Sequence, residues 1–175
     1  MIKKIIILII IVVVLIGAWY LLSPLWRDIV RNDASPIDSL SSMTPDEKTA
    51  FDEAVKDAGS TIIGMDDAMP ALPKTLSSGV FIASAHKVMG TALLIQTEEE
   101  TILRFEDFET VNGPNLHIYL SSELGGDDFI DIGAIKATKG NVNYRIPETV
   151  DTKKYNKVLV WCVPFNVLFS YADLH

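Results

Sequence analysis

The sequence predicts an all-β domain, an antiparallel sandwich or barrel, carried behind an N-terminal transmembrane helix and a short amphipathic linker helix. Three observations carry that prediction. Eighteen consecutive residues, Ile5 to Leu22, bear no charge, and fourteen of them are Ile, Leu or Val. A capped segment with helical apolar spacing follows a polar stretch. From residue 79 onward the apolar period shortens to that of strands, with turn residues between the runs.

The apolar run comes first. As a helix rising about 1.5 Å per residue it covers roughly 27 Å, close to the hydrocarbon thickness of a bilayer. Each aliphatic side chain contributes about −0.3 to −0.6 kcal/mol at the centre of a spanning helix, so the sum favours insertion. A cleavable signal peptide also starts with basic residues, here Lys3 and Lys4. Such signals have an apolar core of about 7–15 residues and small residues at the cut. This run is longer, and bulky Trp19, Tyr20 and Trp26 stand where small residues would be needed. Aromatics there suit a membrane–water interface. Residues 1–26 are therefore read as an anchor. Lys3 and Lys4 before it and Arg27 and Arg31 after it nearly balance, so the positive-inside rule alone does not orient it.

Residues 1–31 hold four basic and one acidic residue, which leaves 11 basic and 22 acidic for the remainder, a net charge of −11. Such a surface repels nucleic acid and steers basic partners toward it, so nucleic-acid binding is excluded.

Residues 27–78 read as stalk and linker. Arg27 to Ser42 is polar, with Pro36. Thr44 then suits an N-cap, with Pro45 at the first helical position and Glu47 three residues beyond the cap. Phe51, Ala54, Val55 and Ala58 recur at helical spacing, giving a helix over about 45–58 closed by Gly59. Ser60 to Ser78 reads as an irregular connector. Residues 79–175 then form the β-domain. Its strand-like runs are GVFIASA, TALLIQT, TILRFEDF, LHIYLSS, FIDIGAIKA, KVLVWCVPF and NVLFSYADL, with Asn112-Gly113-Pro114 and Lys139-Gly140-Asn141 among the turn signals.

Cys162 is the only cysteine, so no disulfide forms within the chain. It lies in a run apolar on both faces, as in a central buried strand. A buried free cysteine acts as a small inert hydrophobe, whereas a lone thiol in an exported domain also admits a redox group, a cofactor ligand or an intermolecular disulfide. A copper site of two His, one Cys and a Met finds its residue types in His86, His117, His175, Cys162 and Met89, without the usual clustering. Met43, Met65 and Met69 read as gap-filling, and Glu98 to Glu100 and Asp127-Asp128 as solvated turns. No phosphate-binding glycine loop, nucleophile elbow or zinc-protease helix is present, which leaves no basis for a stand-alone enzyme.

Gly79-Val80-Phe81, His86 with Gly90, Leu103-Arg104-Phe105 with Phe108, and Asn112-Gly113-Pro114-Asn115-Leu116 occur in that order. Tyr119-Leu120-Ser121, Asp131-Ile132-Gly133, Gly140 with Tyr144, Ile146 and Pro147, Tyr155, Val160-Trp161-Cys162, Phe165, Val167, Phe169 and Ala172 follow. In this order and spacing, residues 79–174 resemble the DM-thirteen domain family, the Skeletor-type domain suggested to transfer electrons. The resemblance implies an all-β domain outside the cytoplasm, in the cell membrane with the N-terminus cytoplasmic. Its hallmark cysteine falls on Cys162, as a redox-active thiol or a ligand to a prosthetic group such as haem. It further implies other membrane or redox proteins as partners. One departure is Ser170, where relatives tend to have glycine after the last Phe. The rival reading is a non-catalytic accessory or interaction subunit of a membrane complex, with Cys162 as core packing.

Overall fold

The computed structural model describes residues 2–23, 27–37, 49, 53 and 73–175. Among the described residues one helix, α1 (Ile2–Leu22), is long and apolar enough to cross a membrane, and none of its side chains is buried in the protein. The strands are β1 (Val30–Asn32), β2 (Lys74–Val80), β3 (Ile82–Ala83), β4 (Val88–Gln96), β5 (Thr101–Thr110), β6 (Leu116–Ser121), β7 (Phe129–Ala134), β8 (Lys139–Ile146), β9 (Lys157–Cys162) and β10 (Val167–Asp173). They make two five-stranded sheets, ordered β1-β8-β5-β4-β2 and β3-β10-β9-β6-β7. Each sheet keeps two edges, so of the two predicted architectures the chain adopts the sandwich and not a closed barrel. All pairings are antiparallel except β1 with β8.

The core follows from alternation along the strands. In β9, Val158, Val160 and Cys162 face the other sheet, while Leu159 and Trp161 face outward into a second cluster with Tyr119. From the first sheet come Leu103, Phe105, Phe108, Val142 and Tyr144. Phe81, Phe105 and Phe108 form an aromatic trio with centroids 4.9–5.0 Å apart. Each such buried side chain contributes about 1.5–3 kcal/mol from apolar burial. The outward cluster survives because Tyr119 stacks on Phe129 at 4.1 Å and the loop at Gly126 lies against Trp161. A Cβ on Gly126 would come within 2.9 Å of that indole.

Several local readings change. Lys139-Gly140-Asn141 is not a turn but the start of β8. Gly140 holds φ +110° there, and the Arg31 carbonyl of β1 occupies the space a Cβ would need. The turn-like composition thus reflects a close strand approach. Residues 74–78, inside the predicted irregular connector, belong to β2, whose polar sequence hides a sheet-edge strand. Within the segment read as stalk, Val30–Asn32 adds a parallel edge strand to the first sheet. The helix predicted over about 45–58 falls outside the described residues apart from Thr49 and Glu53, both helical. Met43, Met65 and Met69 also lie outside them.

The connections alternate between two ends of the sandwich. Residues 84–87, 111–115, 135–138 and 163–166 lie at one end, and 97–100, 122–128 and 147–156 at the other. The first end adjoins α1 and is called the near pole; the second is the far pole. The segment after α1 is fastened to the near pole. Asn112 Nδ2 donates to the Arg27 carbonyl at 2.8 Å, the Ile29 amide donates to Thr138 Oγ1 at 2.9 Å, and the Thr138 amide donates back to the Ile29 carbonyl at 2.8 Å. Beyond β1, Arg104 Nη1 donates to the Asp33 and Ala34 carbonyls and to Asn143 Oδ1. Asn143 in turn donates its backbone amide to the Asp33 carboxylate and its side-chain amide to the Ala34 carbonyl. Arg104 is only 4% exposed, which its ion pair to Glu106 at 2.8 Å and these three acceptors make tolerable.

Candidate functional site

Cys162 closes β9 at the near pole, flanked by Val167 of β10 and Leu116 of β6. Its strand is central in its sheet and buried on both faces, as the apolar run predicts. The thiol is fully buried and donates to the Pro114 carbonyl at 3.3 Å. Burial pushes the Cys162 thiol above its ordinary value of 9.0, while the Phe165 backbone amide beside the sulfur works the other way. The group is therefore a neutral thiol at physiological pH.

Two turns form its roof. In the first, Asn112 Oδ1 accepts the Gly113 amide at 2.8 Å, and Asn115 takes a left-handed backbone with φ 52°. Gly113 is required there, since a Cβ would sit 2.9 Å from the Phe169 ring. In the second, 163–166, Asn166 takes φ 53° and donates its amide to the Val163 carbonyl. The Val163 amide donates to the Asn115 carbonyl at 3.3 Å and ties the two turns together. His86 packs its ring on Phe169 at a centroid distance of 4.0 Å.

Outside this roof lies an open apolar hollow of about 670 Å³ lined by His86, Pro114, Phe165, Val167, Phe169 and the α1 residues Ala18, Leu21 and Leu22. That volume falls in the range of small-molecule sites. Cys162 does not line it; Pro114 and Phe165 stand between the sulfur and the opening.

The residues so arranged do not fit a thiolate-held haem or copper ion. A ligating thiolate is deprotonated and faces an open coordination position. Here the S–H is spent on a carbonyl, and no three His, Cys, Asp or Glu side chains converge on a metal position among the described residues. His117, the other histidine of a copper set, lies on the opposite face of its sheet from Cys162, paired with Asp131 at 2.8 Å. His175 is at the far end of β10, its amide bonded to the Ser78 carbonyl. Sequence reasoning did not single out Arg104, Asn112 or Asn143 as the groups that fasten residues 27–34, and no local signal marks them, because their acceptors lie 39 to 109 residues away.

The family model described as Electron transfer DM13 matches residues 80–174, more than half of the chain, and the protein belongs to that family. No curated protein and no solved structure matches it.

Proposed function

We propose that this member of the Electron transfer DM13 family is a membrane-anchored redox module held outside the cytoplasm, with Cys162 as its reactive position. The observation that carries the proposal is the placement of the lone thiol under the roof of an apolar hollow that the end of α1 also lines. The family description supports an electron-transfer role, and the length and composition of α1 support an anchor. The chemistry in view is that of the thiol itself. Oxidation by loss of one electron to a redox partner releases the S–H proton, as does exchange with a partner's disulfide, in which the Cys162 sulfur bonds to one partner sulfur and the other leaves as a thiol. Either event abolishes the bond to the Pro114 carbonyl and leaves the Val163–Asn115 bond to hold residues 112–115 to the end of β9. Redox state is thereby coupled to the same turn whose Asn112 holds Arg27.

The second reading, an accessory domain in which Cys162 is core packing, is favoured by the complete burial and raised pKa of the thiol. The two separate on the full chain in detergent. Thiol labelling with and without denaturant is measured after mild oxidation and after re-reduction, together with the visible spectrum and metal content. Reversible loss of labelling in the folded protein is expected. A colourless, metal-free protein whose thiol reacts only when unfolded, before and after oxidant, overturns the redox reading and leaves the accessory one. Topology is measured separately by adding protease to intact cells, where removal of the domain is expected and full protection would reverse the orientation.

A further inference from the structure

The near pole differs from the rest of the surface in ways that bear on what it touches. Its four turns, 84–87, 111–115, 135–138 and 163–166, contain Lys87 and Lys136 and no carboxylate. The far-pole connections, 97–100, 122–128 and 147–156, contain eight carboxylates and two lysines. Apolar side chains project from the near pole at the 163–166 turn, where Phe165 is 55% exposed and Val163 39% exposed. Leu21 and Leu22 at the end of α1 line the same hollow as Phe165.

Chain length limits how far the two can separate. Only residues 23–26 separate Leu22 from Arg27, whose carbonyl is held by Asn112. Five Cα-to-Cα steps reach at most about 18 Å when fully extended. With α1 spanning a bilayer, its Trp19 and Tyr20 lie in the interfacial layer, which is about 5–8 Å thick on each side. The connection then holds the near pole within roughly 10–13 Å of the surface even when fully extended, and the hollow that Leu21 and Leu22 share with Phe165 brings it closer. A far-pole approach is opposed twice, by this short connection and by carboxylates that an anionic lipid surface repels.

We infer that the 163–166 turn is a second membrane contact: Phe165 and Val163 insert into the lipid interface beside α1, so that the hollow over Cys162 opens onto lipid rather than bulk water. The occupant of the apolar near pole is the bilayer surface that holds α1, with Lys87 at headgroup level. Aromatic and aliphatic side chains beside lysines are the composition that favours such insertion. The inference rests on the reading of α1 as an anchor, and it adds that a redox partner of Cys162 approaches within the membrane interface.

The test uses the full chain with Cys162→Ala, reconstituted in phosphatidylcholine–phosphatidylglycerol vesicles. Single cysteines are introduced by Phe165→Cys, Val163→Cys, Glu123→Cys at the far pole and Leu22→Cys in α1, and each carries an environment-sensitive fluorophore. Circular dichroism melts verify folding, and Val163→Cys serves if Phe165→Cys does not fold. A turn inserted ~5–10 Å into the interface should be quenched about twofold or more by shallow doxyl lipids, with the Glu123 position unaffected. If the Leu22 label is quenched but positions 163 and 165 stay as wet as 123, the docking is overturned and the anchor stands. If the Leu22 label also escapes quenching, the anchor reading fails and the docking with it.

Discussion

The two poles of the sandwich are built from the same kinds of turn but solve opposite problems. At the far pole the turns hold their charges by local, solvent-facing pairs: Lys154 with Asp128 at 2.9 Å, Arg145 with Glu100, and Tyr155 donating to Asp128 at 3.0 Å. At the near pole, and along the outer face of the first sheet beyond it, side chains reach across the sequence instead. Arg104, Asn112, Thr138 and Asn143 bind a segment about 70 to 110 residues earlier, and most of their partners are backbone carbonyls and amides. Exposed pairs contribute little to stability because water competes for both partners. Buried hydrogen bonds to a charged guanidinium contribute about 1.5–3 kcal/mol, since losing one leaves its acceptor without a partner. The far pole is therefore a charged surface with little structural leverage, and the near pole together with the sheet face around Arg104 is a fastening.

The most damaging way to break this contrast is Arg104→Ala. It should cost about 3 kcal/mol and lower Tm of the folded chain by roughly 10–20 °C. Hydrogen exchange should show β1 amides losing protection while those of β9 keep theirs. The matching far-pole change, Lys154→Ala, should leave the melt unchanged; an equal drop there would erase the distinction between the poles. Next in size is Gly140→Ala. A left-handed φ with a Cβ driven against the Arg31 carbonyl should cost about 2 kcal/mol by denaturant titration. A neutral result would mean that β1 is not held to β8.

A smaller, opposite effect is expected in the sandwich interior. Ser170 is fully buried and its hydroxyl has no partner. Ser170→Ala should therefore stabilise the fold by about 1 kcal/mol, raising Tm a few degrees. Smallest is the response to alkali. The folded pKa of Cys162 lies above 9.0, so its contribution to stability is complete below pH 9 and is lost as pH rises through the folded value. Tyr144, pushed up to about 12 mainly by burial, loses its contribution over a similar range above pH 10. Cys162→Ala should flatten the part of the alkaline decline nearest pH 9, measured by urea midpoints from pH 8 to 11. A variant with the same slope as the parent would mean that the thiol is already accessible to hydroxide.

What could be read in the sequence tracks the range of the interactions concerned. Val158 to Val163 advertises a two-sided buried strand because both faces of β9 are apolar, and Cys162 was placed in a central strand from that alone. Most of the other core strands except β8 were visible from short runs of β-branched and aromatic residues. Two of the four edges were not. β2 carries Thr75, Ser77 and Ser78, and β1 is three exposed residues, so neither has an apolar period to detect. β8 was missing from the predicted strands altogether: its beginning looked like a turn because Gly140 answers to a neighbour 109 residues away and not to its own chain direction. The lone thiol was legible, whereas its carbonyl partner, its roof and the hollow beyond depend on two turns meeting from distant parts of the chain. The net charge of −11 averaged over two poles of different character and so concealed both.

The parallel pairing of β1 with β8 also decides how the protein resists being pulled. β1 enters the sheet from the α1 side and runs in the same direction as β8, at the sheet edge, with Asp33 and Ala34 gripped further along. Tension between the membrane and anything holding the far pole runs along β1. Its hydrogen bonds are then loaded sideways and together, as in a lap joint, instead of being peeled apart one at a time. A strand of three residues thus becomes a mechanical coupling, able to carry a pull between the sandwich and α1 without first opening the sheets.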